Sequence, residues 1–237
     1  MGSTDDPREE IFPVVVLGEE MSSAQDARPD GPRCLTSGMG GFVFLRRMVL
    51  IAALALATAP SLARAAPPKK LEANLGALWT AVLETPTAQN PFGGGGPESG
   101  CFNLGALVAP FGPTGVPACT VKPGTRIFIA ANSVECSTFE RNGTTEAQLR
   151  ACAEAMDLPS APAVTADGAP VAVSEVETGL LRITLPADNL FGSPAGSTGL
   201  SVAHGWVALL HPLSPGSHTI TITLPSSTIT TTINPDH

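Results

Sequence analysis

Three imidazoles fall close together near the C-terminal end, His204, His211 and His218. Three histidine nitrogens that converge can hold a divalent transition metal. The seven-residue spacing from His204 to His211 is odd, so on one regular strand the two side chains point to opposite faces. Convergence would need a bulge to redirect them. The expectation is therefore plainer: two loop-edge histidines and one strand histidine with a hydrogen-bond partner, with no metal and no cofactor.

Glu135, Asp188 and the adjacent amides Asn132 and Asn189 form the second set, since carboxylates serve general acid/base work or bind calcium. Their plainer use is to satisfy loop backbone around Asn132–Glu135 and to cap a turn at Asp188-Asn189. A hydrolase of the nucleophile-elbow kind needs Gly-x-Ser-x-Gly. Gly192-Ser-Pro-Ala-Gly196 has its serine one place early and a proline after it. Asn142-Gly-Thr144 matches a glycosylation sequon in form. Asn132, Glu135, Asp188, Asn189 and His204 remain the candidate site residues, and no catalytic role is assigned to any of them.

Four cysteines, Cys101, Cys119, Cys136 and Cys152, follow residue 65. They contain no Cys-x-x-Cys pair of the zinc-binding kind, so disulfides are the expected use. Four cysteines pair in three ways. The local choice, Cys101 with Cys119 and Cys136 with Cys152, closes two loops of similar modest length.

The expectation of disulfides fits the address the chain carries. Arg46-Arg47 precedes an apolar run from Met48 to Ala59, and Ala63-Arg64-Ala65 closes it. A charged start, a short apolar core and an Ala-x-Ala end describe a secretory signal peptide over residues 39–65, cleaved after Ala65. The run falls short of the roughly 20 residues a membrane-spanning helix needs. Residues 1–38, acidic and without periodicity, are expected to be either a non-native extension, with Met39 or Met48 as the true start, or a disordered extension of a chain that starts at Met1. The mature domain is then 66–237, with 66–70 and 87–100 expected to be flexible, the latter because Gly93 to Gly96 are consecutive glycines.

Residues 66–237 carry seven basic and thirteen acidic side chains. Nucleic acid and anionic lipid both call for basic surface, so neither is expected as a partner. With no Tyr and two Trp in the whole chain, aromatic platforms for single strands or sugars are scarce.

The elements that must position these residues are mainly short strands. Leu71, Leu75, Leu78, Trp79, Val82 and Leu83 recur at helical spacing and stop before Pro86, which predicts a first amphipathic helix. Thr145-x-x-Gln148 predicts a capping box for a second helix over Glu146 to Met156. Strands are expected at 102–109, 118–121, 126–131, 161–164, 171–176, 180–185 and 228–233, with Asn132 to Phe139 and 190–196 as loops. The stretch Gly199 to Thr223 reads as one hairpin turning through Pro212, Pro215 and Gly216. Many short strands with two small helices predict a mainly β fold, a single β-sandwich or jelly-roll-like domain.

Several ordered motifs also carry a resemblance. They are Trp79 with Pro86 to Pro91, Cys101, Cys119-Thr-Val-Lys-Pro-Gly124, Asn132-Ser-Val-Glu-Cys-Ser137, Glu146 to Cys152, Leu185 to Phe191, and Leu213-Ser-Pro-Gly-Ser-His-Thr219. Over most of residues 74 to 224 the chain resembles a family of uncharacterised exported bacterial proteins. That resemblance implies a β-rich, secreted or periplasmic protein and supplies no activity to transfer. The family has an acidic residue and an aromatic pair near the penultimate strand, where this chain has His204 and Gly205-Trp206-Val207.

The function expected from these readings is that of an exported soluble β-sandwich, a non-catalytic binding or structural module with an envelope or extracellular partner. The alternative is a secreted hydrolase or metal-dependent enzyme built from the loops around Glu135, Asp188 and His204.

Overall fold

The computed structural model describes residues 68–96 and 100–235. The expected extension and signal peptide, 1–38 and 39–65, lie outside the described residues. Within them the chain runs α1 (Pro68–Glu84), β1 (Cys101–Asn103), β2 (Leu107–Pro110), β3 (Ala118–Val121), β4 (Arg126–Ser137), α2 (Glu146–Met156), β5 (Ala163–Ala166), β6 (Ala169–Val171), β7 (Ser174–Glu177), β8 (Leu181–Thr184), β9 (Thr198–Leu210), β10 (His218–Thr223) and β11 (Thr228–Pro235).

The strands form two mixed sheets, as a mainly β sequence with two helices predicts. The first has the order β1-β2-β4-β9-β7, with β8 also on β9; the second has β3-β11-β10-β5-β6. Pairing is antiparallel except at β2 with β4 and β3 with β11. Ile127, Ile129, Ala208 and Leu210 of the first sheet meet Val164, Ile220, Ile222 and Ile233 of the second in one apolar cluster. The opposite face of the first sheet is covered by Leu71, Leu75, Leu78, Val82 and Leu83 of α1.

This layering explains the two hydrophobic textures in the sequence. The first sheet is buried on both faces at its centre, so Ile127 to Ala131 is buried without alternation. The second sheet has one face to solvent, and β10 alternates threonine outward with Ile220 and Ile222 inward.

The hairpin expected over 199–223 does not form. β9 pairs with β4, β7 and β8, whereas β10 pairs with β11 and β5, so the two strands belong to different sheets. Prolines 212 and 215 withhold ladder donors, and the segment between them carries the chain from one sheet to the other. A two-residue hairpin does form at Asp167-Gly168 between β5 and β6. Both residues have positive φ, 50° and 79°, and Asp-Gly supplies them at low cost.

Two expected irregular segments are also corrected. Pro68 to Lys70, assigned to a flexible lead, is the first turn of α1. The 87–100 stretch contains a 3-10 turn at Thr87–Gln89, followed by the fully buried Asn90. Asn90 Nδ2 donates to Val82 O at 2.6 Å and its Oδ1 accepts from Phe92 N at 3.0 Å, which closes the carbonyl end of α1.

Both disulfides take the local pairing, Cys101–Cys119 and Cys136–Cys152. The first ties β1 to β3 across the two sheets, and the second ties β4 to α2. No helix among the described residues is long and apolar enough to cross a membrane.

Candidate functional site

Asn132 to Ser137, expected in a loop, is the second half of β4. The register with β9 changes there: Ala130 faces Val207, but Asn132 faces Trp206, so Ala131 is an extra residue. A bulge of this kind reverses which side each later residue takes. Beyond it the even-numbered residues of β4 face α2 and the odd-numbered ones face the α1 side. Gly205 allows the close approach, because a Cβ there would lie 2.5 Å from Asn132 O.

On the α2 side, His204 is the centre of a small polar cluster. Its Nδ1 lies 2.7 Å from Asp157 Oδ2, and the Asp157 side chain is 1% exposed. Asp157 Oδ1 accepts from Asn132 Nδ2 and, at 2.8 Å, from the Leu158 amide. A carboxylate surrounded by donors orders the ring so that Nδ1 donates and Nε2 is left outward. Nε2 stands 3.8 Å from Glu175 Oε1, on a half-exposed side chain. Trp206 completes the neighbourhood by donating from Nε1 to Leu158 O at 3.1 Å.

On the α1 side, Glu135 is 8% exposed and accepts a hydrogen bond from Ser201 Oγ. Burial, reinforced by the Glu140 carboxylate, pushes its pKa from 4.5 up to about 8, against the opposing hydrogen bonds from Ser201 and Ser137. Glu140 is raised too, again chiefly by burial, while its hydrogen bond with Glu135 acts the other way. The shift favours the protonated form of Glu135, which shares a hydrogen bond with Glu140. Further along the same face, Trp79 Nε1 donates to Ser133 Oγ at 2.8 Å, which anchors α1 to β4.

Asp188 and Asn189 lie elsewhere, in the turn after β8. Asp188 Oδ2 accepts from Ala88 N at 3.1 Å, and its carbonyl accepts from Thr87 N, so it holds the 3-10 turn. Asn189 is 6% exposed; its Nδ2 donates to Pro186 O and Ser193 O, while its Oδ1 accepts from the Phe191 and Ser193 amides. This is the turn-capping use expected for the pair.

The five candidates thus occupy three places. Asn132 and His204 come together; Glu135 is separated from them by the thickness of the sheet; Asp188 and Asn189 serve a loop. His218 forms a fourth place, with Nδ1 2.6 Å from Asp167 Oδ2 and Nε2 2.9 Å from Ser214 O. Two acceptors for two ring nitrogens favour the imidazolium, and the Asp167 contact raises the His218 pKa. His211 is exposed beyond the end of β9. Among the described residues no three His, Cys, Asp or Glu side chains are grouped to hold a metal ion. An open groove along α1, between Glu72, Gly76 and Thr80 on one side and Thr178 and Leu181 on the other, contains none of the candidates.

Asp157, Glu140 and Asp167 complete these clusters; the sequence marks Asp167 only as a turn residue beside Gly168 and does not single out the other two. Asp157 did leave a signal. An acidic residue directly after a helix opposes the helix dipole and calls for a compensating donor, and His204 and Asn132 supply it. No protein-family model, curated protein or solved structure matches this chain.

Proposed function

We propose that this protein is an exported β-sandwich module that works by surface recognition of an envelope or extracellular partner rather than by catalysis. One observation carries the reading: the chemistry-bearing side chains are spread over separate places and committed to internal partners. Glu135 is bonded to Ser201, His204 to Asp157, and Asp188 to Ala88. A site needs convergent polar groups around a cleft, and the two strongest candidates face opposite sides of one sheet. Two disulfides support an oxidising compartment as the place of folding. The pattern over 39–65 and the resemblance to exported bacterial proteins agree with it.

Cell fractionation with N-terminal sequencing of the product tests the export. A product beginning at Ala66 outside the cytoplasm supports it, and a cytoplasmic product that retains residues 39–65 overturns it.

The second reading, a hydrolase or metal-dependent enzyme, keeps one specific observation in its favour. His204 is oriented by a buried aspartate and has its Nε2 directed at Glu175, the way an imidazole ligand or base is held. Metal analysis of the purified protein separates the two readings. Stoichiometric zinc or copper that disappears in His204→Ala favours the enzyme, whereas absence of metal with a melting temperature unchanged in chelator favours the module.

A further inference from the structure

Met156 ends α2 and is the large apolar side chain left exposed among the described residues, at 37%. Its Sδ lies 3.7 Å from Cys152 Sγ and 3.9 Å from Cys136 Sγ. One helical turn separates Cys152 from Met156, which places the thioether over the cystine. Cys136 is fully buried and Cys152 half-buried, so Met156 stands at the solvent side of this disulfide. It is also the sole methionine after Met48.

We propose that Met156 is an oxidant-accepting site that takes up hypohalous acid before the Cys136–Cys152 disulfide does. The thioether sulfur attacks the halogen of HOCl, and hydroxide leaves. Water then adds to the chlorosulfonium and chloride departs with loss of protons. The balance is thioether plus HOCl giving sulfoxide, chloride and a proton; sulfur loses two electrons and chlorine gains them. Methionine sulfoxide is reversible by reductases, whereas over-oxidised cysteine sulfur is not, so a thioether in this position spares the bond that fastens α2 to β4. The geometry supports this role independently of where the protein resides.

The test is titration of the purified disulfide-bonded protein with HOCl, followed by peptide mass spectrometry. The expected result is a single added oxygen on Met156 while the Cys136–Cys152 peptide stays intact. In Met156→Leu, checked for an unchanged circular dichroism spectrum, the disulfide peptide should be lost at a several-fold lower oxidant dose. Equal loss of the disulfide in the two proteins would overturn the proposal. So would oxygen reaching the cystine of the wild type before Met156, a measurement that needs no variant to fold.

Discussion

Asn132 and Trp206 face each other across β4 and β9 because Ala131 is one residue too many for the ladder. That shift puts Asn132 beside Asp157 and His204 and turns Glu135 to the opposite side, among Ser137, Ser201 and Glu140. Two chemically different neighbourhoods therefore share a strand without sharing a face.

The bulge depends on Gly205, whose added Cβ would meet the Asn132 carbonyl and the Ser133 side chain. Backbone cannot yield as a flexible side chain does. Gly205→Ala should destabilise by about 1–3 kcal/mol, read as a lower urea midpoint at unchanged slope.

Glu135 gives a pH signature. Its folded pKa is about 8 against 4.5 unfolded, so the folded protein holds a proton that the unfolded chain has lost. The associated stability is full below pH 4.5 and falls as pH climbs towards 8. Melting temperatures taken from pH 5 to 8 should fall more steeply in the wild type than in Glu135→Gln, which stays neutral throughout. Parallel profiles would count against a protonated Glu135.

His218 and Asp167 make a contact that fails at both ends of the pH scale. The raised His218 pKa means its contribution is complete below 6.5 and lost as pH rises through the folded value. The lowered Asp167 pKa, due first to His218, means the contribution is present above 3.8 and lost as pH falls through the folded value. With Asp167 half-exposed, His218→Gln should cost about 1 kcal/mol or less. Thermal melts at pH 5.5 should show the difference, and melts at alkaline pH should show less of it.

The Asp157 side chain is nearly fully buried and is held by three donors. His204→Ala removes one of them and should cost about 1–3 kcal/mol through the carboxylate left short of a partner. Chemical denaturation of His204→Ala, Asp157→Asn and the double variant measures it, and the two losses should be less than additive because one contact is shared.

Cys152→Ser with Cys136→Ser frees α2 from β4. The closed loop, with a sequence separation of 16, should be worth roughly 3 kcal/mol. Denaturation of the double variant against the oxidised wild type checks the figure.

Local pattern was sufficient for much of this architecture. The apolar spacing of α1, the Thr145/Gln148 capping box of α2 and the Asp167-Gly168 turn are written in contiguous residues, and each forms where those residues place it. The cysteines are close enough along the chain for local pairing to be the short route, and both bridges take it. These features depend on residues close along the chain, the cysteine pairs being the widest at separations of 18 and 16.

What only the tertiary structure decided was which strand meets which, and which way each side chain then faces. The sequence from Leu200 to Thr223 contains two strands and a turn, yet nothing local tells a hairpin from a crossing between sheets. Partner choice depends on β4 and β11, which lie far along the chain. Ala131 looks like any other apolar residue in its strand, and only pairing with β9 exposes it as surplus. From that single register shift follow the separation of Glu135 from His204 and the meeting of His204 with Asp157, because a strand's side chains alternate and one extra residue reverses every one that follows.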